Sequence, residues 1–446
     1  MPTPAAEQAF LEPILARPRD DGPRLVFADF LEETGDEADA ARGELVRVQC
    51  ALARISADHP RRPELVDREA ELLQAYRPRW AAHLAGLVPA EGCEFRRGLL
   101  DAVAIDTAVF LARGDELFRR APVRRVRLLD AARHLSRLVH CPFLARVREL
   151  DLCAADLGNG GLNLLLRSPY LTAVESLDLG SNGLCDGGAY LLSRATGLPA
   201  VRELALHMNG HVSSRGVQLL AESPHLAGLR SLDLSGNDVG DAGVTAIASS
   251  RYLTRLDTLR LFANHIGDAG VAALAGGPLL ARVTRRSGGL DLRENAIGPA
   301  GVRALAGCPA AKALTALDLS GNYVGDDGLR AVAGSEHLAG LRRLAVRQNR
   351  ITDAGAAVLS RSPLMPRLAF LDVSSNQLTN RGVDLLWNAR RRWDARIDWS
   401  DNLATPDRPA PGRYVGDSAG PPDSIGAAVG AVLDRVVSRV GHSLRD

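Results

Sequence analysis

Lysine is all but missing from this chain. Lys312 is the single one in 446 residues, so arginine carries the positive charge nearly everywhere. An arginine used by habit is a poor pointer to phosphate. The formal net charge is +1, the balance of neither a nucleic-acid binder nor a membrane-surface binder. Aromatic residues make up 4% of the chain, so a core has to be built from Leu, Val and Ala. No stretch approaches the roughly 20 apolar residues of a membrane span. The six cysteines (Cys50, Cys93, Cys141, Cys153, Cys185 and Cys308) form no close pair and no zinc-like spacing, and are expected as buried, reduced thiols. Glu7 and Glu12 stand where a secretory signal would be basic and then apolar, so a cytoplasmic location is expected.

What the chain has in quantity is repetition. LRSLDLSGNDVGDAGV (Leu229 to Val244), LDTLRLFANHIGDAGV (Leu256 to Val271) and LTALDLSGNYVGDDGL (Leu314 to Leu329) fall into one register. Apolar residues hold columns one, four, six and eleven, Asn holds column nine, and Gly holds column fifteen. Alternation from Leu229 to Leu234 puts Leu232 and Leu234 on one side of a short strand, with Ser231, Asp233 and Ser235 on the other. Asn237 ends the strand. Its side chain both donates and accepts, which suits it to turn backbone that a buried bend would leave unpaired. Asp241 is placed to N-cap a helix through Gly243, Val244, Ile247 and Ala248. Pro224, Pro278, Pro309 and Pro363 fall where the preceding helices must stop. One coil is a strand, a turn and a helix.

This pattern resembles the leucine-rich repeat in its longer, helix-bearing, ribonuclease-inhibitor-like form. The resemblance implies an α/β solenoid, with one sheet edge added per coil. Strands about 4.8 Å apart and helices about 10 Å wide would curve the stack into a horseshoe with a concave strand face and a convex helix face. The Asn column runs Asn182, Asn209, Asn237, Asn264, Asn295, Asn322, Asn349, Asn376 and Asn402, at gaps of 27, 28, 27, 31, 27, 27, 27 and 26. The gap of 31 predicts a small loop around Arg282 to Gly289. LLDAVAID (Leu99 to Asp106) and VRRVRLL (Val123 to Leu129) read as strands of degenerate opening coils, each before a helix, Phe110 to Phe118 and Leu135 to Val139. VRELDLCAA (Val147 to Ala155) has the strand pattern with Ala155 in the Asn column.

Residues 1–90 do not repeat and read as a small all-helical domain. Its helices are marked by Phe10 to Leu15, Leu25 to Leu31, Leu45 to Ile55, Leu65 to Leu73, and Trp80 to Leu87. RPRDDGPRLVFADFLEETGD (Arg17 to Asp36) with RGELVRVQCALARI (Arg42 to Ile55) is similar to the repeat-companion domain found ahead of bacterial repeats. That resemblance implies no activity. Asp20, Asp21, Arg24, Asp29, Glu32 and Glu33 are either a recognition surface or, more ordinarily, caps and a solvated face. The solenoid is expected over 91–403, with Trp387, Trp393 and Trp399 starting its closure. Residues 404–423 are a Pro/Gly-rich linker. Residues 424–446 hold an apolar helical stripe (Ile425, Val429, Val432, Leu433, Val436, Val437, Val440) that docks on the last coil, self-associates or meets a partner.

Catalytic motifs are matched by letter only. GDSAG (Gly416 to Gly420) lies in the linker with Pro421 and Pro422 behind it, not between a strand and a helix. His207 and His211 are four apart as in zinc proteases, but the segment HMNGH lacks the helix and the Glu. No third ligand is evident beside them, so no metal and no cofactor is expected.

The strand face is the informative surface. Column five reads Asp151, Asp178, Ala205, Asp233, Arg260, Asp291, Asp318, Ala345, Asp372 and Asp398. Carboxylates about 5 Å apart repel by roughly 1 kcal/mol even in water. The column is either a solvated habit of the repeat or an acidic trough for a basic partner; both readings disfavour nucleic acid. Columns seven and eight are small except at His207 and Met208, Phe262, Arg293 and Glu294, and Arg347 and Gln348. Large side chains on a bare sheet are what an interaction hot spot requires, and with Arg260 these are the candidate contacts. The expected protein is a monomeric, non-enzymatic scaffold that binds a protein or peptide on the concave face. The alternative is a regulator of a small GTPase, since activators of Ran-type GTPases also carry helix-bearing repeats.

Overall fold

In the computed structural model the described residues are 20–55, 61–121, 123–390 and 396–404, with residues 9, 10, 13, 14, 17 and 59. The linker, the tail helix and Trp393 lie outside them. Two compact units are present.

The first unit holds the described residues up to Trp80 together with Arg97–Leu99. Its helices span Gly22–Thr34, Glu37–Arg54 and Arg62–Trp80. Asp36 starts the second through a capping box, accepting from Ala38 and Asp39 while Asp39 accepts from the Asp36 amide. Ile14, Phe27, Leu31 and Leu99 pack together, and Ala28, Val46 and Cys50 form a second cluster. Asp21 is buried at 8% exposure and paired with Arg54 and Arg97 at 2.9 and 3.0 Å, so it is a structural ion rather than a surface one. Arg47 likewise ties down Asp29 and Glu32. Burial and the Asp21 carboxylate push the Cys50 thiol up to about 11.

The second unit, Ala81–Arg96 and the described residues from Leu100 to Ala404, carries the repeats. The helix expected over Trp80 to Leu87 is only a 3-10 turn, Ala82–Leu84, because Gly86 takes a left-handed φ of 79°. Strands and helices then alternate. Eight strands, Cys93–Arg96 to Thr258–Arg260, pair in chain order in one sheet; five more, Gly289–Asp291 to Arg396–Asp398, form another. From Leu99–Asp106 onward the ladders within each sheet are parallel and in column register, as in Ser231↔Thr258, Leu232↔Leu259 and Asp233↔Arg260. Columns four, six and eleven are buried: Leu232, Leu234 and Val239 are each fully covered.

Between the two sheets stands a correction. The extra residues are not a loop but a helix, Pro278–Ser287, started by Pro278 and ended at Gly288, whose φ is 63°. Its Leu279, Leu280 and Val283 recur at helical spacing and are buried, and it packs against both Thr258–Arg260 and Gly289–Asp291.

The helix caps also differ from expectation. Asp241 lies inside its own helix, Gly240–Ala248, whose N-cap Val239 has no side-chain bond. Its Oδ1 instead accepts from Gly267 and Gly270 at 2.6 and 2.8 Å, capping the helix of the following coil. Asp186 serves Ser213 and Gly216, Asp268 serves Gly298 and Gly301, and Asp326 serves Thr352 and Gly355 in the same way. This explains the column-fifteen glycine. A Cβ on Gly270 would fall 2.6 Å from Asp241 Oδ1, and one on Gly301 2.7 Å from Asp268 Oδ1.

Candidate functional site

Nine asparagines mark where each strand ends. Every Nδ2 donates to the column-six carbonyl of the preceding coil: Asn182 to Leu152, Asn209 to Leu179, Asn237 to Leu206, Asn264 to Leu234 and Asn295 to Leu261. Asn322, Asn349, Asn376 and Asn402 do the same to Leu292, Leu319, Val346 and Val373. The Oδ1 of Asn264 accepts from Val239 N–H, and that of Asn402 from Leu378 N–H. Asn264 is fully buried; Asn402 is half-buried.

Column five has a local reason that the sequence reading missed. Asp151, Asp178, Asp233, Asp291, Asp318, Asp372 and Asp398 each accept, through Oδ1, the N–H two residues on, at 2.9 to 3.1 Å. That is an Asx turn, repeated coil after coil. The column is also less bare than expected. Asp233 is buried and lies 3.8 Å from Arg260, Asp151 lies 3.9 Å from Arg127, and Asp291 takes both Nε and Nη2 of Arg293. Burial pushes Asp318 up to about 6, with Asp291 adding to the rise; burial also raises Asp178 and Asp372.

Column eight is small for a backbone reason. Ala154, Ser181, Met208, Ala263, Glu294, Gln348 and Ser375 all have φ between 51 and 56°, and Gly236 and Gly321 hold the same place at 66 and 67°. Left-handed backbone favours glycine, so Met208, Glu294 and Gln348 carry a cost of roughly 1–2 kcal/mol each at a position where neighbours relax it. They are also seated. A Cβ on Gly236 would strike Met208 Sδ at 2.4 Å, and one on Gly321 would lie 3.1 Å from Glu294 Cγ.

His207 is not exposed as expected but 5% exposed. Its imidazole lies against Gly180, where a Cβ would come within 2.2 to 2.6 Å of the ring. His211 is exposed and forms an isolated bridge with Cys185, so the two histidines do not act as a pair. Phe262 and Arg293 are brought together. The guanidinium sits 5.2 Å from the Phe262 ring centroid, while also lying 2.7 Å from Asp291 and 3.6 Å from Asp318. Phe262 stays half-buried, and Glu294, Arg347 and Gln348 are exposed.

With this geometry in place, five segments match the family model described as Leucine Rich repeat: residues 228–248, 250–275, 290–306, 312–333 and 340–360. The chain carries a leucine-rich-repeat region. Solved structures with similarity include an internalin from Listeria monocytogenes, 21% identical, covering 64% of this chain and 77% of that one, with a TM-score of 0.40. A structure of the yeast Rad7 and Elc1 complex is 14% identical, covering 85% of this chain and 92% of that one, with a TM-score of 0.41. No curated protein matches. No helix among the described residues is long and apolar enough to cross a membrane.

Proposed function

We propose that the leucine-rich-repeat region is a non-enzymatic interaction scaffold whose strand face, the concave side of a horseshoe, binds a protein or peptide. The observation that carries this reading is Phe262, a half-buried aromatic overlaid by Arg293 in a column mostly of small residues. Glu294, Arg347 and Gln348 give it a polar rim. The remaining carboxylate oxygens of the Asp column favour a partner with basic groups and disfavour nucleic acid. The repeats are of the ribonuclease-inhibitor-like form, with a bacterial repeat-companion domain ahead of them, in a monomeric cytoplasmic protein.

The test is quantitative capture from native lysate by the wild-type chain and by the double variant Phe262→Ala, Arg347→Ala. The partner should be lost from the variant while its circular dichroism is unchanged. Capture at full strength by the folded variant would remove the site from the strand face.

A further inference from the structure

Cys153, Asp178 and His207 come from three successive coils, 25 and 29 residues apart, so no ligand spacing in the sequence joins the three. The parallel register stacks their coils, with Asp151 opposite Asp178 and Asp178 opposite Ala205. One donor atom from each then lies within 4.8 Å of the other two. Cys153 Sγ is 3.7 Å from His207 Nε2, and His207 Nδ1 is 3.7 Å from Asp178 Oδ1. We propose that these three side chains bind a divalent transition ion of the zinc class, as thiolate, imidazole and carboxylate.

Four observations support the assignment. First, the spacing fits. The ion takes the Nδ1 that faces Asp178 at 3.7 Å, where zinc–nitrogen and zinc–oxygen bonds of about 2.0 and 2.1 Å at a tetrahedral angle set the two donors roughly 3.3 Å apart. Second, His207 is 94% buried, yet its Nδ1 has no hydrogen-bond partner, although it is turned toward Asp178. A buried ring nitrogen left orphaned costs stability unless something else takes it up. Third, the pocket is built. Gly180 leaves the space the imidazole fills, and any side chain there would expel the ring.

Fourth, the charge is right. A thiolate and one carboxylate neutralise a 2+ ion, and the next carboxylate, Asp151, is drawn off by Arg127. Asp178 and Asp151 set a negative field at the Cys153 thiol. The same negative field that opposes a bare thiolate attracts a cation, and a coordinated thiol gives up its proton. This argues against reading the trio as a nucleophilic thiol, imidazole and carboxylate, which needs a thiolate without metal. Three protein donors leave a fourth position for water or a partner's group. A mixed sulfur, nitrogen and oxygen set selects a borderline ion over magnesium or calcium.

The experiment uses the full chain, stripped with a chelator and titrated with zinc, then with cobalt as a spectroscopic substitute. One zinc per chain should bind, and cobalt should give a thiolate charge-transfer band together with tetrahedral ligand-field bands. Bound zinc should slow alkylation of Cys153 at least tenfold, read by peptide mapping, while leaving Cys185 unaffected. Cys153→Ser should abolish the charge-transfer band. Gly180→Ala retains all three donors and should still lose the ion, because it displaces the ring; circular dichroism reports whether each variant folds. Binding that is unchanged in both variants, a cobalt complex without the thiolate band, or alkylation of Cys153 indifferent to zinc would each overturn the proposal.

Discussion

The Asp at column thirteen and the Gly two columns on work across coils, not within one. Asp241 makes no cap bond at its own helix start and two bonds at the next. Asp241→Ala should therefore lower the denaturant midpoint by the loss of two charge-assisted bonds, roughly 1.5–3 kcal/mol, and Gly270→Ala should be comparably costly because it crowds the same carboxylate. Equal tolerance of Gly270→Ala and of Ala at the open Gly276 would contradict this. The same reasoning separates the asparagines. Asn264→Ala leaves the buried Val239 amide without its partner and the Leu234 carbonyl with only Asn237, at about 1–3 kcal/mol, whereas water can reach the half-buried Asn402 site and the cost there should be smaller. Asp318 supplies a pH signature. Its folded value, about 6, lies above its ordinary 3.8, so the folded state holds the proton more tightly. Its ionisation opposes folding above pH 6, and that cost is relieved as pH falls from 6 toward 4. Asp318→Asn keeps an acceptor for the Ser320 amide and should raise the Tm at pH 7.5, with the gain fading by pH 4. A gain that is flat with pH would contradict it.

At the scale of elements, periodicity carried much of the fold. The strand Leu99–Asp106 coincides with its sequence assignment, and the Asn spacing located the coils from Asn182 onward. What was not legible has a common cause: it depends on atoms from a neighbouring coil. Asp241 reads as a local cap in one dimension because the partner lies in the next coil, and His207 reads as exposed because Gly180 lies 27 residues before it. The small residues of column eight looked like a bare surface, when a left-handed backbone selects them. The segment Pro278–Ser287 reads as a loop in sequence because four added residues are too few to suggest a helix; the helix also takes in residues ahead of them. Thr258–Arg260, the last strand of its sheet and only half-buried, should exchange its amides faster than Ser231–Asp233, which is paired on both sides. Equal protection measured by hydrogen exchange would mean that the sheet continues through the inserted helix.

For the whole molecule, a stack of near-identical coils offers two long surfaces, and the strand face is the one proposed to bind. The strand face holds the Phe262 and Arg293 pair and the Asp column; Tyr190, on the helix Asp186–Ser193, and Tyr323, in the turn ahead of the helix Gly325–Ala333, are each about half open to solvent and each beside an arginine. The decisive comparison is partner capture by two folded double variants, Phe262→Ala, Arg347→Ala on the strand face and Tyr190→Ser, Tyr323→Ser on a helix and a turn outside the strands. The account expects the first to lose the partner by at least tenfold in captured amount and the second to retain it. Retention by the first with loss by the second would contradict it.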